Sequence, residues 1–95
     1  MWIEIINGPN LHRLGKREPG IYGTVSMDSY LETLHRLYDD RLRLTYFQSN
    51  HEGALIDRLY ESQDAGVDAF VLNAGAYTHT SIALQDAIRA VTAPV

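Results

Sequence analysis

Residues 2–6 form a nearly continuous apolar run broken only by Glu4, and the run ends in Asn7-Gly8-Pro9-Asn10, a dense turn signal. This pattern predicts a strand entering a loop. From Ser26 or Asp28, either of which suits an N-cap, Leu31, Leu34, Tyr38 and Leu42 recur at helical spacing, with Glu32, Arg36, Asp39 and Asp40 opposite, so an amphipathic helix follows. Residues 42–47 mix alternation with β-formers and read as a second strand. Ser49 and Asn50 then offer caps for a helix carrying Leu55, Ile56, Leu59 and Tyr60, which Gly66 stops. A third strand at 69–72 runs into a polar stretch, 73–80, and helical spacing resumes over 81–90 through Ile82, Leu84 and Ile88.

Strands alternating with helices indicate an α/β fold with a parallel sheet, and right-handed crossovers make a doubly wound layer the expected arrangement. Such sheets bind ligands beyond the carboxyl ends of their strands. Two polar loops, 7–23 and 73–81, follow strand ends and are expected at the same edge. The first is long and hinged: it holds Gly8, Gly15, Gly20, Gly23, Pro9 and Pro19, and it is cationic through His12, Arg13, Lys16 and Arg17. Loops beyond about 12–15 residues are uncommon in compact domains and are often lids or binding loops. No internal repeat points to a solenoid.

Composition narrows the function classes. With 95 residues and 45% hydrophobic side chains the chain supports one core, so a single domain over 1–95 is expected. A fold of this size is worth about 5–14 kcal/mol, a margin that partner subunits would widen. A formal net charge of −4 supplies no broad basic field for phosphate backbones and argues against a nucleic-acid binder. The absence of cysteine removes disulfides and thiolate metal sites together. No apolar run approaches the roughly 20 residues of a membrane span, and the first residues lack the basic start of a secretory signal, so a soluble cytoplasmic protein is expected.

Several chemistries can be set aside. Neither the dinucleotide fingerprint nor the Walker sequence follows any predicted strand. His51-Glu52 opens like a zinc-protease motif, but position 55 is Leu, and no two histidines stand three or four residues apart. Ser81 lacks the nucleophile elbow and an identifiable base. Tyr22, between Ile21 and Gly23 and five residues after Arg17, is a candidate base. Half-ionising a phenol at neutral pH needs about 4 kcal/mol of preference for the phenolate. One guanidinium at about 4 Å, with an effective dielectric near 20, supplies interaction of that order. Composition equally admits a surface tyrosine on a solvated loop. The 73–81 loop offers the Asn73 amide, the small Gly75, backbone N–H groups, Thr78, His79 and Ser81, an array suited to an anion or a polyhydroxylated ligand. Plain helix capping by Thr78, Thr80 or Ser81, with His79 solvated, accounts for the same residues.

Four motifs, taken in order, carry a stronger signal: Ile6-Asn7-Gly8-Pro9-Asn10-Leu11, Gly15-Lys16-Arg17-Glu18-Pro19-Gly20-Ile21-Tyr22-Gly23, Gln48-Ser49-Asn50-His51-Glu52-Gly53 and Asn73-Ala74-Gly75-Ala76-Tyr77-Thr78-His79-Thr80-Ser81. Together they closely resemble type II 3-dehydroquinate dehydratase. The resemblance implies a flavodoxin-like fold, a dodecamer built from trimers, and a cofactor-free anti elimination of water from 3-dehydroquinate through an enolate, giving 3-dehydroshikimate. It serves the shikimate pathway of aromatic amino acid biosynthesis or quinate catabolism. By position, Tyr22 matches the family's base and Arg17 the lid arginine that favours its phenolate. Asn10 matches the asparagine thought to place a water at the enolate oxygen. Asn73, Gly75 and His79 fall at substrate-contacting positions, and Asp86 at a carboxylate offered by a neighbouring subunit. Glu52 also matches, although an acid in the first turn of a helix suffices to explain it. His12 stands where asparagine or glycine is expected.

The family pattern continues beyond Val95 with a histidine general acid, a further arginine and two more strands, so the resemblance implies a C-terminally truncated domain. A general acid contributes about 10²- to 10⁴-fold. Three readings follow. The first is a dehydratase with Tyr22 as base. The second is a non-catalytic chain that binds substrate weakly or only associates with subunits. The third is a generic flavin or phosphate binder, against which the first loop lacks a Ser/Thr-rich phosphate cradle. Truncation also predicts an exposed apolar flank on the third strand and a tendency to aggregate.

Overall fold

The computed structural model describes residues 1–11, 26–38 and 40–95. In chain order its elements are β1 (Trp2–Asn7), α1 (Met27–Tyr38), β2 (Arg43–Gln48), α2 (Glu52–Asp64), β3 (Ala69–Asn73), α3 (Tyr77–Thr80) and α4 (Ile82–Ala90). The three strands form a parallel sheet in the order β2-β1-β3. β1 is therefore central, which explains why its sequence is a run rather than an alternation: a strand paired on both edges inside a parallel layer has apolar neighbours above and below.

Register sorts the side chains. Trp2, Glu4 and Ile6 stand beside Arg43, Thr45 and Phe47 of β2, while Glu4 and Ile6 stand beside Phe70 and Leu72 of β3. Since side chains alternate along a strand, these share one face. Against it pack α2 and α4, and the resulting core holds Ile6, Leu55, Leu59, Val67, Phe70, Leu84, Ala87 and Val91. Fully burying such aliphatic side chains is worth about 1.5–3 kcal/mol each.

Glu4, the break in the apolar run, lies within that face at 0% exposure. Arg58 from α2 grips it with two bonds, Nε to Oε1 at 2.5 Å and an η-nitrogen to Oε2 at 3.0 Å. Ser62 donates to Oε1 at 2.7 Å, Thr45 donates to Oε2, and the Trp2 indole N–H donates to Thr45 Oγ1 at 2.7 Å. Burial pushes the Glu4 carboxyl upward, but the bonds from Arg58, Thr45 and Ser62 and the Arg58 charge outweigh it and hold the acid below its ordinary value. The same bond, donated to Glu4, raises the Arg58 guanidinium above its ordinary value.

Local signals set the helix ends. Ser26 Oγ accepts from the Ser29 N–H at 3.1 Å and Ser81 Oγ from the Leu84 N–H at 2.9 Å, the side-chain capping expected of serine. At the end of α2, Gly66 adopts φ +97°. The Gly66 N–H donates to Gln63 and the Val67 N–H to Ser62, a Schellman closure that glycine permits. Three details differ from the sequence expectation. The N-cap of α2 is His51, with no side-chain cap; Ser49 instead accepts from the His51 N–H at 3.0 Å. α1 stops at Tyr38, whose carbonyl takes the N–H groups of Arg41 and Leu42, so Leu42 lies beyond the helix. The stretch 73–81 is not all loop, since it contains α3.

On the other face of the sheet, α1 buries none of its residues, and a groove of about 430 Å³ runs between it and Ile3, Ile5, Leu44 and Val71. Val71 on the edge strand β3 is 56% exposed, and at that edge the Phe70 N–H donates to the Pro94 carbonyl at 2.8 Å. No helix among the described residues is long and apolar enough to cross a membrane.

Candidate active site

Each strand ends in an amide side chain, and the parallel register places Gln48, Asn7 and Asn73 side by side. Asn7, the middle one, is only 6% exposed, and its Nδ2 donates to the Tyr46 hydroxyl at 3.4 Å. Burial pushes the Tyr46 phenol up, the Asn7 bond opposes this and the Asp28 charge adds to it, so the hydroxyl stays neutral.

Loops leaving these strand ends interlock. The Gly8 N–H donates to the Asn73 carbonyl at 2.7 Å, and a Cβ on Gly8 would lie 2.5 Å from the Ala74 carbonyl oxygen, so only glycine permits the approach. Reciprocally, Gly75 has φ +60°, and a Cβ there would press on the Pro9 carbonyl at 3.3 Å. Asn73 Oδ1 accepts from the Gly75 N–H at 3.1 Å, the local turn that asparagine favours. Asn10 is exposed with φ +66°, a left-handed conformation that asparagine tolerates better than most residues.

The structure thus brings Asn10, Asn73 and Gly75 together at the carboxyl edge of the sheet. His79 follows in α3, exposed, and Asp86 is exposed on α4. Tyr22 and Arg17, with the rest of the second motif, lie outside the described residues. Ser81 caps α4 and is 3% exposed, which gives it a structural use. Sequence reasoning passed over Asn7 and Gln48 and read Asn50 only as a cap. Their signal was present: an amide residue directly follows each of the three predicted strands, and the observed register aligns the three.

Neutral amides and backbone N–H groups present donors and acceptors without net charge, which suits a hydroxyl- and carbonyl-bearing ligand. The groove beneath α1 reaches Asn7 and Asn73 at this edge. Among the described residues no group of three His, Asp or Glu is placed to hold a metal ion.

Comparison with known proteins gives this edge a lineage. The family model described as dehydroquinase class II matches residues 1–95. A 3-dehydroquinate dehydratase of an Exiguobacterium species is 52% identical over 95 residues, covering 100% of this chain and 64% of that protein. A catabolic 3-dehydroquinase of Verticillium alfalfae is 48% identical over 93 residues, covering 97% of this chain and 61% of that protein. The crystal structure of the type II dehydroquinase from Butyrivibrio crossotus superposes with a TM-score of 0.90 at 42% identity, covering 96% of this chain and 63% of that one. The chain therefore spans a little under two thirds of the length of these relatives. The family-model match over residues 1–95, together with a relative 52% identical over the same length, makes the chain a member of the class II dehydroquinase family.

Proposed function

We propose that this chain serves 3-dehydroquinate dehydration, a hydro-lyase reaction passing through an enolate. The observation that carries the reading is the convergence of Asn10, Asn73 and Gly75 at one sheet edge in a chain whose relatives are named 3-dehydroquinate dehydratases. In this mechanism Tyr22, as phenolate, takes the proton from the carbon beside the ketone. Arg17 favours that phenolate by its charge. Asn10 places a water against the enolate oxygen as charge develops there, and Asn73, Gly75 and His79 hold the substrate; the enolate then collapses with cleavage of the C–O bond, and the departing hydroxide takes its proton from solvent, no residue among 1–95 being assigned as its general acid. Asp86, exposed on α4, fits a carboxylate offered to a neighbouring subunit in a homo-oligomer. The chemistry requires no cofactor. Either a biosynthetic or a catabolic setting uses the same step, and the relatives include a catabolic enzyme.

Enone absorbance on adding 3-dehydroquinate to the purified chain tests the reading directly, with calorimetry for binding. With no general acid assigned among residues 1–95, turnover is expected to be about 10²- to 10⁴-fold below that of a site that has one, and Tyr22→Phe should abolish what remains while leaving substrate binding largely intact. Near-parental turnover in Tyr22→Phe would remove the tyrosine from its role. Absence of both turnover and saturable binding in the parent would overturn the reading, whereas binding without turnover would leave a substrate-binding chain, the second of the three sequence readings.

A further inference from the structure

Asn50 has no part in the mechanism above, yet all three strand-end loops meet at it. Its Oδ1 accepts from the Asn10 backbone N–H at 3.0 Å and from Gln48 Nε2 at 3.2 Å. The same Gln48 Nε2 donates to the Gly8 carbonyl at 3.1 Å, so the first loop is held at two points two residues apart. On its other side, the Asn50 carbonyl accepts from the Tyr77 hydroxyl of α3 at 3.0 Å. Asn10 is the residue that needs holding. A non-glycine residue at φ +66° is sparsely populated and persists where the surroundings over-determine it. Leu11 adds one longer bond to the Gly8 carbonyl, at 3.4 Å.

We infer that Asn50 is a positioning residue: its side-chain oxygen fixes Asn10 in its left-handed conformation, while its backbone carbonyl, independently of the side chain, ties the same turn to Tyr77 of the segment that bears His79. This rests on the dehydratase reading for what Asn10 does, and on the hydrogen bonds alone for how Asn10 is held. Two properties separate the role from ordinary loop structure. Asn50 is exposed and adds nothing to the core, so removing its amide leaves the fold standing. Its acceptor oxygen is the part that matters, so aspartate, which retains it, can replace asparagine where leucine cannot.

Asn50→Leu and Asn50→Asp test this, with thermal unfolding as the fold control. In Asn50→Leu the Asn10 amide should exchange with solvent several-fold faster by NMR, and the shift that 3-dehydroquinate induces at Asn10 should vanish. Its kcat should fall by about 10²-fold with KM little changed, the size expected when a polar group is displaced by about 1 Å. Asn50→Asp should restore most of each readout. Unchanged Asn10 exchange in Asn50→Leu would overturn the inference, as would Asn50→Asp behaving like Asn50→Leu, or faster exchange with unchanged kcat. If the parent chain shows no turnover, that result bears on the dehydratase reading, and the exchange rate and the ligand-induced shift at Asn10 still decide the role of Asn50.

Discussion

The two faces of the sheet are built from the same three strands and differ in what covers them. One face carries Ile6, Phe70 and Leu72 under α2 and α4, and even its polar member, Glu4, is completely enclosed and multiply bonded. The other carries Ile3, Ile5, Leu44 and Val71, a set no less apolar, yet α1, none of whose own residues is buried, lies over it and leaves the open groove. An amphipathic pattern thus states which side of a helix seeks cover without stating that cover is found. Leu31 and Leu34 occupy their expected spacing and are half-buried, whereas Leu55 and Leu59 of α2 reach 0% exposure because α4 closes the same layer beside them.

The largest effect is expected where the closed face is most committed. Arg58→Met leaves the enclosed Glu4 carboxylate without its counter-charge, and removing one partner of a buried pair costs about 3–5 kcal/mol. Urea unfolding at neutral pH checks this. Adding Glu4→Gln to the same chain should recover part of the loss, since the orphaned charge disappears. A loss under about 1 kcal/mol in the single variant would mean that the face is not organised around the ion pair.

A direct contrast between the faces comes next. Leu59→Ala removes a side chain at 0% exposure and should cost about 2–5 kcal/mol, while Leu34→Ala, half-buried beside the groove, should cost about 1 kcal/mol or less. Equal losses in parallel denaturant titrations would erase the distinction between a closed and an open face.

The smallest effect is the response to acid. Glu4 titrates below its ordinary value of 4.5 when folded, so the unfolded chain takes up that proton first. The stability it contributes is complete above pH 4.5 and is lost as pH falls through the lower folded value. Unfolding midpoints from pH 7 to pH 3 should show this loss in the parent and a flatter profile in Glu4→Gln. Equal slopes would assign acid sensitivity to other carboxylates.

Much of the fold was legible because its signals are local. The β1 run, the serine caps at Ser26 and Ser81 and the stop at Gly66 each depend on neighbours within a few residues; the run and the stop stand where the sequence pointed, and each serine is one of the alternative caps it offered. The extent of α1 and the cap of α2 were less legible. There, competing bonds to the Tyr38 carbonyl and to the Ser49 hydroxyl, rather than propensity, chose the boundary. Of the candidate site, Asn10, Asn73 and Gly75 were readable through family motifs, while Tyr22 and Arg17 stand on those motifs alone.

Sequence by itself determined the order of the strands and the longer helices, their hydrophobic faces, the family and the anomaly of a glutamate inside an apolar strand, because these are written in adjacent residues and their spacing. Only tertiary structure decided that Glu4 meets Arg58 from a helix more than fifty residues away, that Gly8 yields its Cβ space to Ala74, and that Gln48, Asn7 and Asn73 form one row whose Gln48 end is bonded to Asn50. The physical reason is register. Parallel strands carry no turn between them to set their alignment, so which polar side chains become neighbours is settled when burial of Ile6, Phe47 and Leu72 locks the three strands against one another.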